Sequence, residues 1–265
     1  MKIENKIDVT TLSAVPETML IPLYFKAKET KENGIIKDNV SVEILNRIDY
    51  DFSKMNEDWI GQISVCVNTF LIDKLVNNLL EQGKKKVIVN LGSGLDTRPE
   101  RFSDYKWYHV DLPQPLEIRK KVFDKKHDTY IAKSILDLTW VNEIKEKENI
   151  IFIAEGLLMY FTDEEVKSIL KNIRKSFTNS HIIFDTLHKQ LVGTKRYAKS
   201  VDTSSAPFKF GISSIDDIIK WDTGWRQEQV FYKIDYYKKR WKWLRWFSFI
   251  SSFKKGFIVA VLKSE

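Results

Sequence analysis

The chain has 265 residues, 43% apolar and 13% aromatic, enough to bury one sizeable core with an added cap. Its strongly apolar runs, Phe257 to Leu262 among them, fall short of the ~20 residues that cross a bilayer and Met1 to Thr10 is polar, so a soluble, cytoplasmic protein without stable membrane insertion is expected. The lone cysteine, Cys66, excludes an internal disulfide and suggests no metal site, and the net charge of +7 is scattered among acids, as at 144–149, which is a solvated face rather than a nucleic-acid stripe.

Residues 1–62 carry helix-length patterns at Leu23 to Glu29 and Val40 to Ile48 without a glycine turn between strand-like runs, so an N-terminal helical cap is expected there. From Ile63 to Leu80 apolar residues recur at helical spacing (Val67, Leu71, Leu75, Leu79) until Gly83, and this helix opens the main domain, 63–265. Val87 to Leu91 is a β-branched apolar run suited to a strand buried on both faces, and it breaks at Gly92 before a predicted helix. Further strand-like runs are Lys106 to Val110, ending at Asp111; Tyr130 to Ala132; Ile150 to Ala154, ending at Glu155; and His181 to Phe184, ending at Asp185. Helices are predicted at Leu116 to Phe123, Thr139 to Lys147 and Glu164 to Phe177, the last with Thr162 as N-cap and Glu165 three residues on. Such alternation implies an α/β fold with a mostly parallel sheet and helices on both faces.

Residues 190–225 read as an insertion that adds to the cap, and Gln229 to Ile234 with Gly256 to Leu262 as a strand pair closing the sheet. Between these strands, 240–255 mixes basic and aromatic residues. A helix with Leu244, Phe247 and Ile250 on a buried face is the expectation; the other reading is a surface touching membrane or an apolar partner, which exposed Trp243 and Trp246 would support.

The strongest local signal is VIVNLGSGLDTR at 87–98. Gly92, Ser93 and Gly94 permit a sharp strand-to-helix turn and let a ligand approach the backbone at the carboxyl edge of the sheet; an ordinary tight βα turn is the plainer reading. Asp111 ends the next strand, placed to accept the two hydroxyls of a ribose or to cap the helix at Pro113. Thr97 stands where a dinucleotide fingerprint has its third glycine, which disfavours a diphosphate and favours a phosphate-free adenosine cofactor, with a nicotinamide-dependent oxidoreductase as the other enzyme reading. In SILDLTW at 134–140, Asp137 and the amide of Leu138 suit an adenine edge, or Asp137 caps the helix that follows. Glu155 ends the central strand, at the edge where open sheets collect ligands, and suits an ammonium group.

Together VNLGSGLDTR, YHVDLPQPLEIRKKVF, SILDLTW and AEGLLMYFTDEEV resemble the leucine carboxyl methyltransferase superfamily, most closely its bacterial branch of tetracenomycin-type polyketide O-methyltransferases; LIPLYFKAKET and VNTFLIDKLV upstream are similar to that branch as well. The resemblance implies the Rossmann-like class I methyltransferase fold with S-adenosyl-L-methionine as cofactor. It implies that the glycine turn and Glu155 surround the methionine end, Asp111 the ribose, and Asp137 with Leu138 the adenine, while Lys26 meets the cofactor carboxylate. Asn68 replaces an arginine frequent in the family, a hydrogen-bonding but uncharged substitute.

Methyl transfer from a sulfonium is an in-line displacement that requires the acceptor oxygen at ~3 to 3.5 Å from the methyl carbon and little acid-base machinery. The expected activity is O-methylation of a hydroxyl or carboxyl of a small metabolite, with a cofactor-binding but non-catalytic protein as the alternative that Asn68 motivates. His188 is a nominee for base, against its reading as an ordinary surface residue, and Met159 and Tyr160 suit an acceptor wall or core. Phe208, Phe210, Trp221 and Trp225 suit an aromatic pocket for a flat molecule, or plain packing.

Overall fold

The computed structural model describes residues 6–9, 12, 14–84, 87–123, 128–194 and 206–264. Parts of the expected cap (1–5, 10, 11 and 13) and of the expected insertion (195–205) lie outside the described residues. The amino-terminal part forms β1 (Ile7–Asp8), α1 (Ala14–Glu17), α2 (Leu20–Lys31), α3 (Asn39–Arg47) and β2 (Ile48–Asp49), with β1 and β2 paired in parallel. α4 (Trp59–Glu81) then leads into β3 (Val87–Leu91), α5 (Arg98–Arg101), β4 (Lys106–Asp111), α6 (Pro113–Val122), β5 (Thr129–Ala132), β6 (Ile150–Ala154), α7 (Asp163–Ser176), β7 (His181–Leu187), α8 (Asp216–Ile219), β8 (Trp225–Tyr232), α9 (Ser251–Lys254) and β9 (Phe257–Ser264).

The seven-stranded sheet has the order β5-β4-β3-β6-β7-β9-β8, with β9 antiparallel to both neighbours and all other pairs parallel. The chain steps outward from β3 to β5 and then crosses back to β6, so β3 and β6 flank the point where strand order reverses and a ligand crevice opens. Alternation along β3 sends Val87, Val89 and Leu91 to the face covered by α7, and Ile88 to the face covered by α4. α4 starts four residues before the expected Ile63 because the Asp58 side chain accepts from Gly61 N at 2.9 Å and caps it there. With 23 residues and a window of mean hydropathy 1.3, α4 is long and apolar enough to cross a membrane by length and composition, contrary to the count of short runs; 61% of that window is buried, and the helix packs on β7 and β9 as a core element.

Three expected helices change. The Thr139 to Lys147 stretch is a 3-10 segment, Leu138–Glu143, after which Lys145 N donates to Tyr108 Oη at 3.3 Å and Glu146 binds Lys106 and Tyr108, drawing the chain out along β4. The helix after the glycine turn, α5, is a single turn, and the buried Arg98 side chain at its start is committed to carboxylates on other elements. The 240–255 stretch is a 3-10 segment, Lys238–Phe247, broken at Lys242 and followed by the four-residue α9. By contrast α7 opens with the expected capping box: Glu165 N donates to Thr162 Oγ1 at 3.2 Å and Thr162 N donates to Glu165 Oε2 at 2.7 Å.

The last strands also shift. β8 begins at Trp225 and runs through the exposed Arg226, Gln227, Glu228 and Gln229, an edge strand whose polar residues conceal it from apolar patterning. β7 extends past Asp185 to Leu187 because it pairs with β9 along its full length, His181 against Lys263 to Leu187 against Phe257.

Candidate active site

The carboxyl ends of β3, β4, β6 and β7 open into a cavity of about 260 Å³, roofed by Met19, Ile21, Phe25 and Lys26 of the amino-terminal helices. Its floor is the glycine turn. Gly92 and Gly94 take φ of +65° and +41°, the left-handed region that costs a residue with a Cβ. Space is tight as well: a Cβ on Gly92 would lie 2.7 Å from Leu157 Cδ1, and one on Gly94 would lie 2.9 Å from Met19 Cβ, so a neighbour would have to shift for either. Arg119, fully buried on α6, clamps the turn by donating to Gly94 O at 3.1 Å and Asp96 O at 2.8 Å.

Asp111 faces that turn from the end of β4. Its Oδ2 accepts from Gly94 N and its Oδ1 from Leu112 N, both at 2.7 Å. Burial raises its pKa above the ordinary carboxyl value, against the opposing pull of those two amides and Arg119. A carboxylate offers about four lone-pair directions, so two remain for a ligand in the cavity.

Glu155, at the end of β6, accepts from Asn68 Nδ2 at 2.9 Å and from Thr69 Oγ1 at 3.5 Å, and forms an ion pair with Arg98. The Arg98 guanidinium also donates to Asp73 Oδ1 at 2.6 Å and to Asp96 Oδ2 at 2.9 Å. Burial would push Asp96 up, but the adjoining Arg98, with Lys26 and Arg101, holds it far below the carboxylate range, and the three carboxylates hold Arg98 charged. Lys26 is buried beneath the roof with Nζ 3.9 Å from Asp38 Oδ2 and 3.4 Å from Thr97 Oγ1. Asp38 in turn is held below its usual range: burial works against this, and Lys26, Arg101 and hydrogen bonds from Ser41 and Thr97 prevail.

Two buried polar atoms on the cavity wall, Asn68 Oδ1 and Ser93 Oγ, have no hydrogen-bond partner among the described residues. Unmet acceptors and donors of this kind beside a glycine cradle fit a polar ligand that completes them.

The other end of the cavity is walled by Leu157, Met159, Tyr160, Phe208 and Phe257, with Phe208 edge-on to Tyr160 at 5.4 Å between centroids. Met159 O anchors the Phe208 loop, accepting from Lys209 N at 2.7 Å and Phe210 N at 3.2 Å. One buried ion pair stands here: Asp185 Oδ1 accepts from Gly156 N at 2.6 Å, and Lys233 Nζ donates to Asp185 Oδ2 at 2.9 Å.

Of the residues singled out from the sequence, Lys26, Gly92, Ser93, Gly94, Asp111 and Glu155 share this cavity, as does Asn68. Asp137 and Leu138 do not line it. Asp137 is exposed and caps the 3-10 segment, its Oδ1 accepting from Thr139 N at 3.1 Å, while Leu138 O accepts from Asn172 Nδ2 at 3.0 Å. His188 also stands off the wall: its ring nitrogen accepts from Gln190 N at 3.3 Å, and burial with Lys255 lowers its pKa. Phe210 and Trp225 are core residues packed with Trp221, leaving Phe208 alone of the four aromatics in the cavity.

Asp96, Arg98, Arg119, Asp185 and Lys233 were not anticipated in these roles. A signal existed for Arg119, which falls on the Leu116–Val122 stripe of α6 and is thereby turned inward by helical period alone. Lys233 interrupts an apolar run, but its partner on β7 is visible only in the fold.

A sheet of this order, with a glycine turn after its first strand and an acid ending the next, defines a class I methyltransferase, and the chain is an enzyme of that class with S-adenosyl-L-methionine as cofactor. A model of the leucine carboxyl methyltransferase family matches residues 23–174, more than half of the chain, and the protein belongs to that family. Among relatives, the tetracenomycin polyketide synthesis O-methyltransferase of Streptomyces glaucescens is 24% identical over 209 residues, covering 77% of each chain. An S-adenosyl-L-methionine-dependent methyltransferase of Gibberella zeae is 25% identical over 192 residues, 65% of this chain and 64% of its own. Solved structures with the same fold include a DUF574 family protein of Streptomyces avermitilis (TM-score 0.61, 10% identity, 94% of this chain and 97% of that one). Another is the magnesium protoporphyrin IX methyltransferase of Synechocystis with bound SAH (TM-score 0.51, 10% identity, 94% and 100%).

Proposed function

We propose that the protein is an O-methyltransferase that acts on a hydroxyl or carboxyl oxygen of a small, flat metabolite in cytoplasmic secondary metabolism. The observation that carries this reading is the division of one cavity into a polar end and an aromatic end with a single buried ion pair. At the polar end Asp111 is suited to ribose hydroxyls, Glu155 and Asn68 to the amino-acid ammonium, and Lys26 to the carboxylate; the Ser93 hydroxyl completes the cradle. Bound there, S-adenosyl-L-methionine supplies an electrophilic methyl group. Asp137 and Leu138 remain the proposed adenine contacts beyond Asp111, in the turn that follows β5.

At the aromatic end, Tyr160, Phe208 and Phe257 exclude water and sandwich the acceptor, while Lys233 and Asp185 orient its oxygen. Lys233 favours the anionic form of that oxygen, which is the nucleophile in the displacement. The relative from Streptomyces glaucescens, an O-methyltransferase of polyketide synthesis by name, supports an oxygen acceptor of this kind.

Calorimetric titration with S-adenosyl-L-methionine and with NAD, followed by a screen of phenols and carboxylic acids, tests the reading. Binding of the sulfonium alone and turnover on an oxygen acceptor is the expected result. Cofactor binding without turnover on any oxygen acceptor would overturn it in favour of the non-catalytic alternative.

A further inference from the structure

Lys233 and Phe257 both line the cavity, with Lys233 Nζ 5.9 Å from the centre of the Phe257 ring. The chain between them leaves the fold at one point of the aromatic wall and returns at an adjacent one. Within this excursion Trp241 is buried against α4 and its indole N–H donates to Tyr236 O at 2.9 Å. The next aromatics turn the other way: Trp243 is 58% exposed, Trp246 67% and Phe249 83%. Six of the nine exposed large apolar side chains among the described residues fall within 243–253, so the concentration is local rather than the ordinary scatter of a surface.

The backbone fixes this outward display. Tyr237 takes φ +51°, and Lys242 takes φ +49° with ψ −127°, a conformation that favours glycine and ends the helical course that would have buried Phe247 and Ile250. The strained segment is tied down beside the break: Arg240 Nη2 donates to the buried Glu29 at 2.8 Å, Lys242 Nζ lies 4.6 Å from the Trp59 ring centre, and Lys254 Nζ pairs with Asp235 at 2.9 Å. Trp243, Phe247 and Phe253 pack as a chain of rings at 5.9 and 5.7 Å.

Charge follows a matching pattern. Residues 236–257 hold Lys238, Lys239, Arg240, Lys242, Arg245, Lys254 and Lys255 and no acidic residue. The tip at 248–252 is uncharged, with Phe249 and Ile250 at its centre, and cations lie on both sides of it.

We propose that this surface docks peripherally on an anionic phospholipid bilayer, with Phe249, Ile250 and Trp246 in the headgroup boundary and the lysines against lipid phosphates, presenting the aromatic end of the cavity to the membrane. Tryptophan and phenylalanine settle at that boundary, and cations near it are each attracted by anionic lipid. A second copy of the chain is disfavoured as occupant, because a two-fold contact would set the basic rim of one copy, Lys238 and Lys239 included, against that of the other. Nucleic acid is disfavoured because an uncharged apolar tip inside a basic rim suits insertion into lipid, whereas backbone-tracking grooves interleave cations with stacking rings.

Sedimentation of the full chain with vesicles of phosphatidylcholine, alone or mixed with phosphatidylglycerol, tests the proposal without acceptor or turnover, so its outcome is separate from that of the methyl-transfer reading. Binding to the mixed vesicles that weakens with salt is expected. The double variant W246A/F249A should lose at least about tenfold in partitioning, and the double variant K238Q/K239Q about fivefold per lysine, both with the parental thermal unfolding midpoint. Absence of binding to the mixed vesicles, or binding that W246A/F249A leaves unchanged, would overturn the proposal. So would tighter binding to a single-stranded oligonucleotide than to vesicles, or a concentration-dependent dimer in sedimentation that W246A/F249A makes monomeric.

Discussion

At the glycine-turn end of the cavity, Asp96, Asp111 and Glu155 are each held by two or more hydrogen bonds, and buried Arg98 and Arg119 reach across several elements to hold them. At the opposite end, Tyr160 and Phe208 meet through a ring contact beside Phe257, and among the described residues Asp185 with Lys233 is the buried ion pair there. The difference teaches how one enzyme separates a fixed task from a variable one. A cofactor of constant shape is met by backbone geometry and crossed ion pairs that tolerate little change, while an acceptor is met by side chains on loops, which can be exchanged without disturbing the sheet.

The comparison can be broken most directly at Arg98. Arg98→Met leaves Asp73, Asp96 and Glu155 without their shared cation and should destabilise the fold by about 3–5 kcal/mol, read as a lower midpoint in urea; a loss within error would show that the polar end is not held by this ion network. The next effect is one of pH. The His109 ring is enclosed between Trp107 and Tyr130, and burial, with Arg119 nearby, lowers its pKa from 6.5 to about 4. The unfolded chain therefore binds more protons between these values, so the contribution is intact above 6.5 and is lost as pH falls toward 4, by up to roughly 3 kcal/mol. Unfolding free energies measured across that range should fall less steeply in His109→Gln than in the parent.

A smaller effect is expected at the cofactor contact itself. Asp111→Asn keeps the size of the side chain but removes its charge, and cofactor affinity should fall about ten- to a hundredfold, measured by calorimetry; undiminished binding would show that Asp111 serves only the turn. The least disruptive change is Phe208→Ala, expected to raise the acceptor KM about tenfold while the cofactor dissociation constant stays within a factor of two. Equal losses for both ligands would mean that the two ends are not separable.

Much of the polar end was legible because its chemistry is written in short spans. Gly92 and Gly94 are required by positive φ, and Asp111 follows where the next strand must end, so both can be located from strand spacing alone. The ion network was not legible, since Arg98 meets Asp73 on α4 and Glu155 on β6, partners that only the sheet order brings together. Asp137 shows the opposite limit: the residue type suits an adenine edge and a helix cap equally, and the cap bond that Oδ1 accepts from Thr139 N leaves further lone pairs of the carboxylate open to an adenine amino group. The carboxy-terminal aromatics misled for a related reason, because Leu244, Phe247 and Ile250 keep helical spacing while the backbone breaks at Lys242, whose conformation no pattern of side chains announces.

The position of β9 in the sheet has a consequence for how the protein is made. β7 is buried along its whole length, yet its outer neighbour is β9, the last of the strands, and β8 must wait for β9 before it can pair at all. A chain emerging from the ribosome can therefore assemble β3 to β7 around the cofactor end while the apolar edge of β7 still lacks its partner. The same strand therefore serves two ends: β9 pairs the edge of β7 along its length, and Phe257 at its start completes the acceptor wall.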